Sequence, residues 1–455
     1  MKNKILLLLL VCCQCQLLIS AELVPDSYSS DKSVLTSRYL QCIYPVWENG
    51  KIRLINYHGD YINEHSYDVP PILQAPMFIA HDNSQIFLKR DGRFYRIHFT
   101  GKEFPLTIPK PYEFKKYLGN DRFLAAKKDR DLELCRVYSS PKNDFITDDF
   151  IWHASYDDDI VIGYFDIDFE EWRKYTHDLN AGLGGDVSLL VKKLSAVKIH
   201  DGTKIPCPEN HYPMFCVGGG MLRATFMIDD RGIDSILNYH GDIVFESPNM
   251  RLSRSYKDGR IIATNNNDLT YSIVDLLGNI VFQSDCEISG FSCGRAKIEK
   301  RLGEPRKESP LYSSLVGYVN RFGEEVIPCQ YIKGTNFHDD LAIVQDREKK
   351  YHLINTYGDV LKDDLFADFP QNVKSSFYNI GSIYNIDSML SLGVSWVSLR
   401  PKKTIITEKE TQRDTSIKIL LNFDGKEIWR DDNSLSETDS KNMFSLYSTM
   451  LWVYR

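Results

Sequence analysis

The chain has 455 residues, 43 % of them hydrophobic and 26 % charged, which is ample for a folded core and excludes disorder as the main state. Its formal charge is -7, from 62 acidic and 55 basic side chains. With no basic block longer than Lys-Lys, the mild acidic balance argues against nucleic acid or an anionic membrane as the principal partner. An aromatic content of 12 % leans towards strands.

The first 21 residues carry Lys2 and Lys4, an apolar run from Ile5 to Val11, and Ile19-Ser20-Ala21 before Glu22. This is the layout of a secretory signal peptide, with cleavage expected after Ala21. The apolar run is too short to span a bilayer, and Gln14 and Gln16 interrupt its continuation. Lipid anchoring through Cys12, Cys13 or Cys15 is the alternative, but each lacks a small preceding residue. The expected location is therefore periplasm, cell envelope or extracellular space, with no transmembrane segment after signal removal. Three of ten cysteines leave with the signal, so the remaining seven cannot all pair within one chain. Cys207 with Cys216 and Cys286 with Cys293 are the close pairs, while free buried thiols are the plainer expectation. No Cys-x-x-Cys occurs, so a zinc ribbon or dithiol redox centre lacks its signature.

A repeat then organises residues 22–455. An apolar strand ends in Asn, Asp or His, two residues follow, then Gly, a polar residue and apolar residues again. The pattern recurs at Asn56-Tyr57-His58-Gly59, His98-Phe99-Thr100-Gly101, Asn238-Tyr239-His240-Gly241, Asp275-Leu276-Leu277-Gly278, Asn320-Arg321-Phe322-Gly323, Asn355-Thr356-Tyr357-Gly358 and Asn422-Phe423-Asp424-Gly425, and one residue shifted at His200-Asp201-Gly202. Asn or Asp can bond the backbone two residues on, and Gly can take a positive φ, so each match predicts a tight hairpin. From Gly202 through Gly241, Gly278 and Gly323 to Gly358 the glycines are 39, 37, 45 and 35 residues apart, a supersecondary period. Before the hairpin, Phe291 to Ile298 aligns with Phe337 to Val344, and Tyr256 to Ala263 is a looser copy. Each predicts a turn leading into a strand with a small residue where backbones crowd.

The run Val316-Gly317-Tyr318-Val319-Asn320-Arg321-Phe322-Gly323-Glu324-Glu325-Val326-Ile327-Pro328-Cys329-Gln330-Tyr331, with the element at Phe337 to Val344, resembles the WG-repeat (KWG-repeat) family of bacterial proteins. The departure is at the tryptophan, where Val316 stands. The resemblance implies a repeat scaffold, generally without assigned activity. The expected fold is all-β, about eight to ten units of three or four strands, an estimate from the repeat spacing. A propeller-like ring is expected, with an open β-repeat stack as the alternative.

Between Gly101 and Gly202 the pattern weakens. Phe123 to Val137 reads as a degenerate unit whose turn, Ser139 to Asn143, has lost its glycine. Residues 150–195 read as an insertion, with short helices expected at Phe169 to Asp178 and Val187 to Val197. Polar loops at 304–309 and 402–415 lengthen two further units, and these irregular segments are where a partner is expected to bind.

The chemical motifs lack their contexts. Gly290-Phe291-Ser292-Cys293-Gly294 fits a nucleophile elbow, but a strand rather than a helix is expected after it. Asp166, Asp168 and Glu170 would share one face of a strand, near Asp157, Asp158 and Asp159, without the Asp-x-Asp-x-Asp-Gly loop of a calcium site. The glycines at 182, 184 and 185 and the run Gly218-Gly219-Gly220 lack the Lys-Ser or Lys-Thr of a phosphate loop. His58 and His240 share one turn slot, which points to structure rather than ligation. No catalytic or cofactor-binding residue is assigned, no cofactor is implied, and a metal at the acidic segment is left open. The functional expectation is an exported, non-enzymatic scaffold that binds a protein or glycan; the alternative is an exported hydrolase with carboxylates on rim loops.

Overall fold

In the computed structural model the described residues belong to one compact unit, 39–455. The structure describes most of residues 39–68, 84–173, 193–302, 314–367, 394–399 and 417–430. The signal-like segment, the loops expected at 304–309 and 402–415, the glycines at 182, 184 and 185, Asp157, Asp158, Asp159 and Asp166 lie outside the described residues.

Every named element among the described residues is a β-strand, in agreement with the all-β class. The strands form nine antiparallel sheets, here units 1 to 9, over residues 44–55, 85–105, 113–145, 151–198, 211–246, 250–284, 287–331, 333–362 and 394–430. Within each sheet the strands neighbour one another in sequence order, so each unit is a simple meander.

Burial follows position in the meander. In unit 8, Leu341–Gln345 is buried at every residue, whereas the fourth strand Val360–Lys362 is not. Strands covered on both faces read as continuous apolar runs. The covering comes from the adjacent unit. Ile262 and Ile273 of unit 6 pack with Ile288, Phe291 and Ala296 of unit 7, and Val316 and Tyr318 of unit 7 with Phe337, Ala342 and Val344 of unit 8. The small residue expected in the second strand is Ala125, Ala224, Ala263, Ala296 and Ala342, all fully buried. Burying each of the larger apolar side chains contributes about 1.5–3 kcal/mol, and in a repeat array that stabilisation comes from neighbour on neighbour.

The hairpin glycines serve two purposes. Each takes a positive φ, from 77° at Gly202 to 92° at Gly59. Each also rests on the outer edge of a neighbouring unit: a methyl group at Gly202 would lie 2.5 Å from the carbonyl oxygen of Ile146, just past the last strand of unit 3, and one at Gly241 2.6 Å from that of Pro206, in the segment after the last strand of unit 4. Gly278 meets the Val244 carbonyl in the same way, whereas Gly323 rests on the Phe282 side chain and Gly358 touches Ile327 side-chain carbons at 3.2 Å or more. Gly59 of unit 1 lies against Ile428 of unit 9, with 2.6 Å between the added carbon and the carbonyl oxygen. That contact joins the last described sheet to the first.

Two expectations are corrected around unit 4. The interruption is narrower than 150–195, because Ile151–Tyr156 and Ile160–Tyr164 pair with each other and with Leu194–Lys198. Where a helix is expected over Val187 to Val197, the described residues from Leu194 onward form that third strand, in which Leu194, Ala196 and Val197 are buried. Tertiary pairing overrides the local reading there. Glu170, Trp172 and Arg173 are helical, within the helix expected from Phe169.

Candidate functional site: the hairpin rim

Because each strand reverses the one before it, the turn between strands one and two and the hairpin between strands three and four lie at the same end of a unit. The chemistry of that end repeats. At Asn320 the side-chain carbonyl accepts from the amides of Phe322 (2.9 Å) and Glu324 (3.1 Å), and Nδ2 donates to the Glu324 carboxylate (2.8 Å). Asn355 and Asp359 reproduce this set. At Asp275 and Asn279 the two side chains are exchanged and the bond is kept, with Asn279 Nδ2 donating to Asp275 at 3.1 Å. Burial pushes the Asp275 carboxyl up, but bonds from Asn279 and the Leu277 amide, with the Arg260 charge, hold it below the usual range.

Successive rims are tied by arginine. Arg260 begins the second strand of unit 6, and its Nε donates to the carbonyl of Arg321 in the hairpin of unit 7 at 2.7 Å. Arg295 stands in the same slot of unit 7 and donates to the carbonyl of Thr356 in unit 8 at 2.8 Å. Burial pulls the Arg295 guanidinium below its ordinary value, and the nearby Arg321 charge adds to this against Tyr357 and Asp340. The first turns are linked too: Gly294 N donates to Asp258 at 2.8 Å, and Asp340 N to the Cys293 sulfur at 3.3 Å.

These ties leave the hairpin tips of units 6, 7 and 8 pointing outward. The residue before each glycine is Leu277, Phe322 and Tyr357, respectively 80, 54 and 59 % exposed. A turn slot in water ordinarily takes a polar residue. Three large apolar side chains there, in consecutive units, make one row, and Arg260 and Arg321 flank Phe322 at 5.7 and 5.9 Å from its ring centre. The sequence carries this signal, because the three residues share one place in the repeat, but the hairpin pattern alone draws attention to Asn and Gly instead.

The other candidates resolve as follows. Ser292 ends a strand, Cys293 and Gly294 turn with φ of 54° and 70°, and Arg295–Arg301 follows as a strand, so the backbone of a nucleophile elbow is not formed. Asp168 and Glu170 do not share a strand face. Asp168 accepts from the Glu170 amide at 2.8 Å as a helix cap, and Glu170 pairs with Arg130 and Arg173, each at 2.7 Å. Gly218 and Gly220 flank the first turn of unit 5, with open space at Gly220. His58 and His240 each donate a backbone N–H to the turn asparagine at 2.9 Å. Cys207, Cys286 and Cys293 are free thiols, so neither close pair is bonded. Burial pushes Cys135, Cys207 and Cys329 up to about 11, which keeps them protonated and unreactive near neutral pH. Among the described residues no group of three or more His, Cys, Asp or Glu is placed to hold a metal, and no helix is long and apolar enough to cross a membrane.

Gly317 explains the paired glycine of the repeat. A methyl group there would lie 2.5 Å from the Ile327 carbonyl oxygen and 2.7 Å from the Cys329 nitrogen, where the return strand bulges around Pro328. Val316, in the tryptophan slot, is buried in the contact with unit 8.

No curated protein matches the sequence. Among solved structures the chain is similar to a eukaryotic initiation factor, at 7 % identity over 86 % of this chain and 96 % of that one, with a TM-score of 0.48. It is also similar to BamB from Moraxella catarrhalis, at 10 % identity over 68 % and 87 % with a TM-score of 0.30. For Hsv2p of Kluyveromyces lactis the figures are 9 %, 57 % and 87 %, and 0.31. The family model described as WG containing repeat matches residues 317–351, the stretch from the paired glycine of unit 7 into the third strand of unit 8. Residues 317–351 are therefore similar to the WG containing repeat, and the match spans the junction of units 7 and 8.

Proposed function

We propose that this repeat scaffold is exported, closes into a ring, and binds a partner protein through the hairpin rim of units 6 to 8 without turning anything over. The exposed row of Leu277, Phe322 and Tyr357 carries the binding reading. An aliphatic leucine beside two aromatics suits an apolar protein surface better than a sugar face, which stacks on rings alone. The contact of Gly59 with Ile428 supports closure, and the order of Lys2, Lys4, apolar run and Ser20-Ala21 supports export.

The test is affinity capture from the native envelope with the mature protein, beside a variant carrying Leu277→Ser, Phe322→Ser and Tyr357→Ser. Burial of three such side chains contributes about 3 kcal/mol or more, so the variant should bind about 100-fold more weakly with an unchanged urea midpoint. Equal capture by both proteins refutes the rim; turnover of a glycan or ester, abolished by one Asp or Ser substitution, refutes the scaffold. For export, sequencing of the mature N-terminus should begin at Glu22. A blocked lipidated cysteine would indicate an anchored lipoprotein, and an intact Met1 refutes export.

A further inference from the structure

The series of glycine contacts between units breaks at one described junction. Unit 3 has no glycine in its second hairpin, which runs Ser140-Pro141-Lys142-Asn143 and is exposed throughout. Asn143 takes the left-handed slot with φ of 51°, and its amide donates to Ser140 at 3.1 Å, so the turn is kept while a side chain occupies the place of the glycine. No glycine is there to seat on the outer strand Glu103–Pro105 of unit 2.

Beside that strand opens a cavity of about 420 Å³, lined by Gln85, Arg96, His98, Thr100, Lys102 and Phe104. Arg96 and His98 are two apart on one strand and share its face, and Arg96 and Phe104 are direct partners across the ladder. The Arg96 guanidinium and the Lys102 ammonium each lie 5.1 Å from the centre of the Phe104 ring. The ring orients both cations without neutralising them. Arg96 Nη1 donates to Asp121 of unit 3 at 2.6 Å, which fixes its position, and its Nε and Nη2 have no partner among the described residues. No carboxylate is among the lining side chains. Glu103, the nearest acid in sequence, is engaged by Arg90 at 2.8 Å and by the Tyr67 hydroxyl.

We propose that this cavity binds a sugar-sized organic anion, its carboxylate or phosphate held between Arg96 and Lys102. Gln85, with Thr100 and His98 bonded to each other at 3.0 Å, supplies further hydrogen-bonding groups, and the volume falls in the range of small-ligand sites, about 300–1,000 Å³.

Isothermal titration of the mature protein with glucuronate, inorganic phosphate and neutral glucose tests this. Glucuronate or phosphate should bind at millimolar concentration, with the stronger of the two identifying the anion, and raised salt should weaken it. Lys102→Glu should lower the affinity about tenfold or more. Lys102→Met, which keeps the stem on Phe104, should do nearly the same, and Lys300→Glu on unit 7 should have no effect. Urea midpoints of the variants separate loss of binding from loss of fold. No binding of either anion, equal binding of glucose, or wild-type affinity in Lys102→Met overturns the proposal.

Discussion

Gly241→Ala tests whether the hairpin glycines hold one unit on the next. Two costs combine. The backbone φ of 88° is unfavourable for any residue with a Cβ, by about 1–2 kcal/mol. The added methyl would also lie 2.6 Å from the Pro206 carbonyl oxygen and 3.0 Å from its Cγ, so the turn and the Pro206 backbone must move apart. Overpacking of that kind costs about 1–3 kcal/mol, giving a total of about 2–5 kcal/mol. Gly92→Ala is the matched control, because its φ is 77° and nothing lies within 4 Å of the added carbon. It should cost only the conformational part, about 1–2 kcal/mol. Urea unfolding followed by circular dichroism measures both. Equal losses in the two variants would refute the interlock and leave the left-handed turn as the sole reason for the glycine.

Asn320→Ala removes two accepted amide bonds and the bond to Glu324, and should cost about 1–2 kcal/mol in the same assay; Asn320→Asp combined with Glu324→Asn, the pair found at Asp275 and Asn279, should restore most of it. Arg295→Met should destabilise by about 1–3 kcal/mol through the unpaired Thr356 carbonyl, and hydrogen exchange should quicken first in the hairpin of unit 8. Burial pushes the Asp149 carboxyl up, but bonds from Lys127, Tyr112 and Arg136 outweigh it and hold it below the usual carboxylate value. Since the folded value is the lower one, this stabilisation is complete above about pH 4, the unfolded value, and is lost as pH falls through the folded one. Asp149→Asn should therefore narrow the difference in melting temperature between pH 6 and pH 3; an unchanged difference would show that the carboxylate carries none of it.

The sequence by itself determined the class of the fold and the place of most hairpins, because both rest on local chemistry. Asn320, Phe322 and Gly323 lie within a few residues of one another, and their turn is specified without reference to the rest of the chain. The same holds for the strand after Ser292, which the repeat slot predicts against the nucleophile motif. Tertiary structure decided what depends on a neighbour. Leu194–Lys198 carries a pattern that also suits a helix, and only its pairing with Ile160–Tyr164 makes it a strand. A positive φ accounts for Gly241 within its own turn, but the second reason for it is the Pro206 carbonyl 35 residues earlier. The apolar row of Leu277, Phe322 and Tyr357 is visible as a sequence position, yet whether a turn residue is buried by the next unit or left in water is settled by packing between units. The cavity at Arg96 and Lys102 is lined by unit 2 alone, yet the Arg96 guanidinium in its wall is held by Asp121 of unit 3, which no pattern within unit 2 contains.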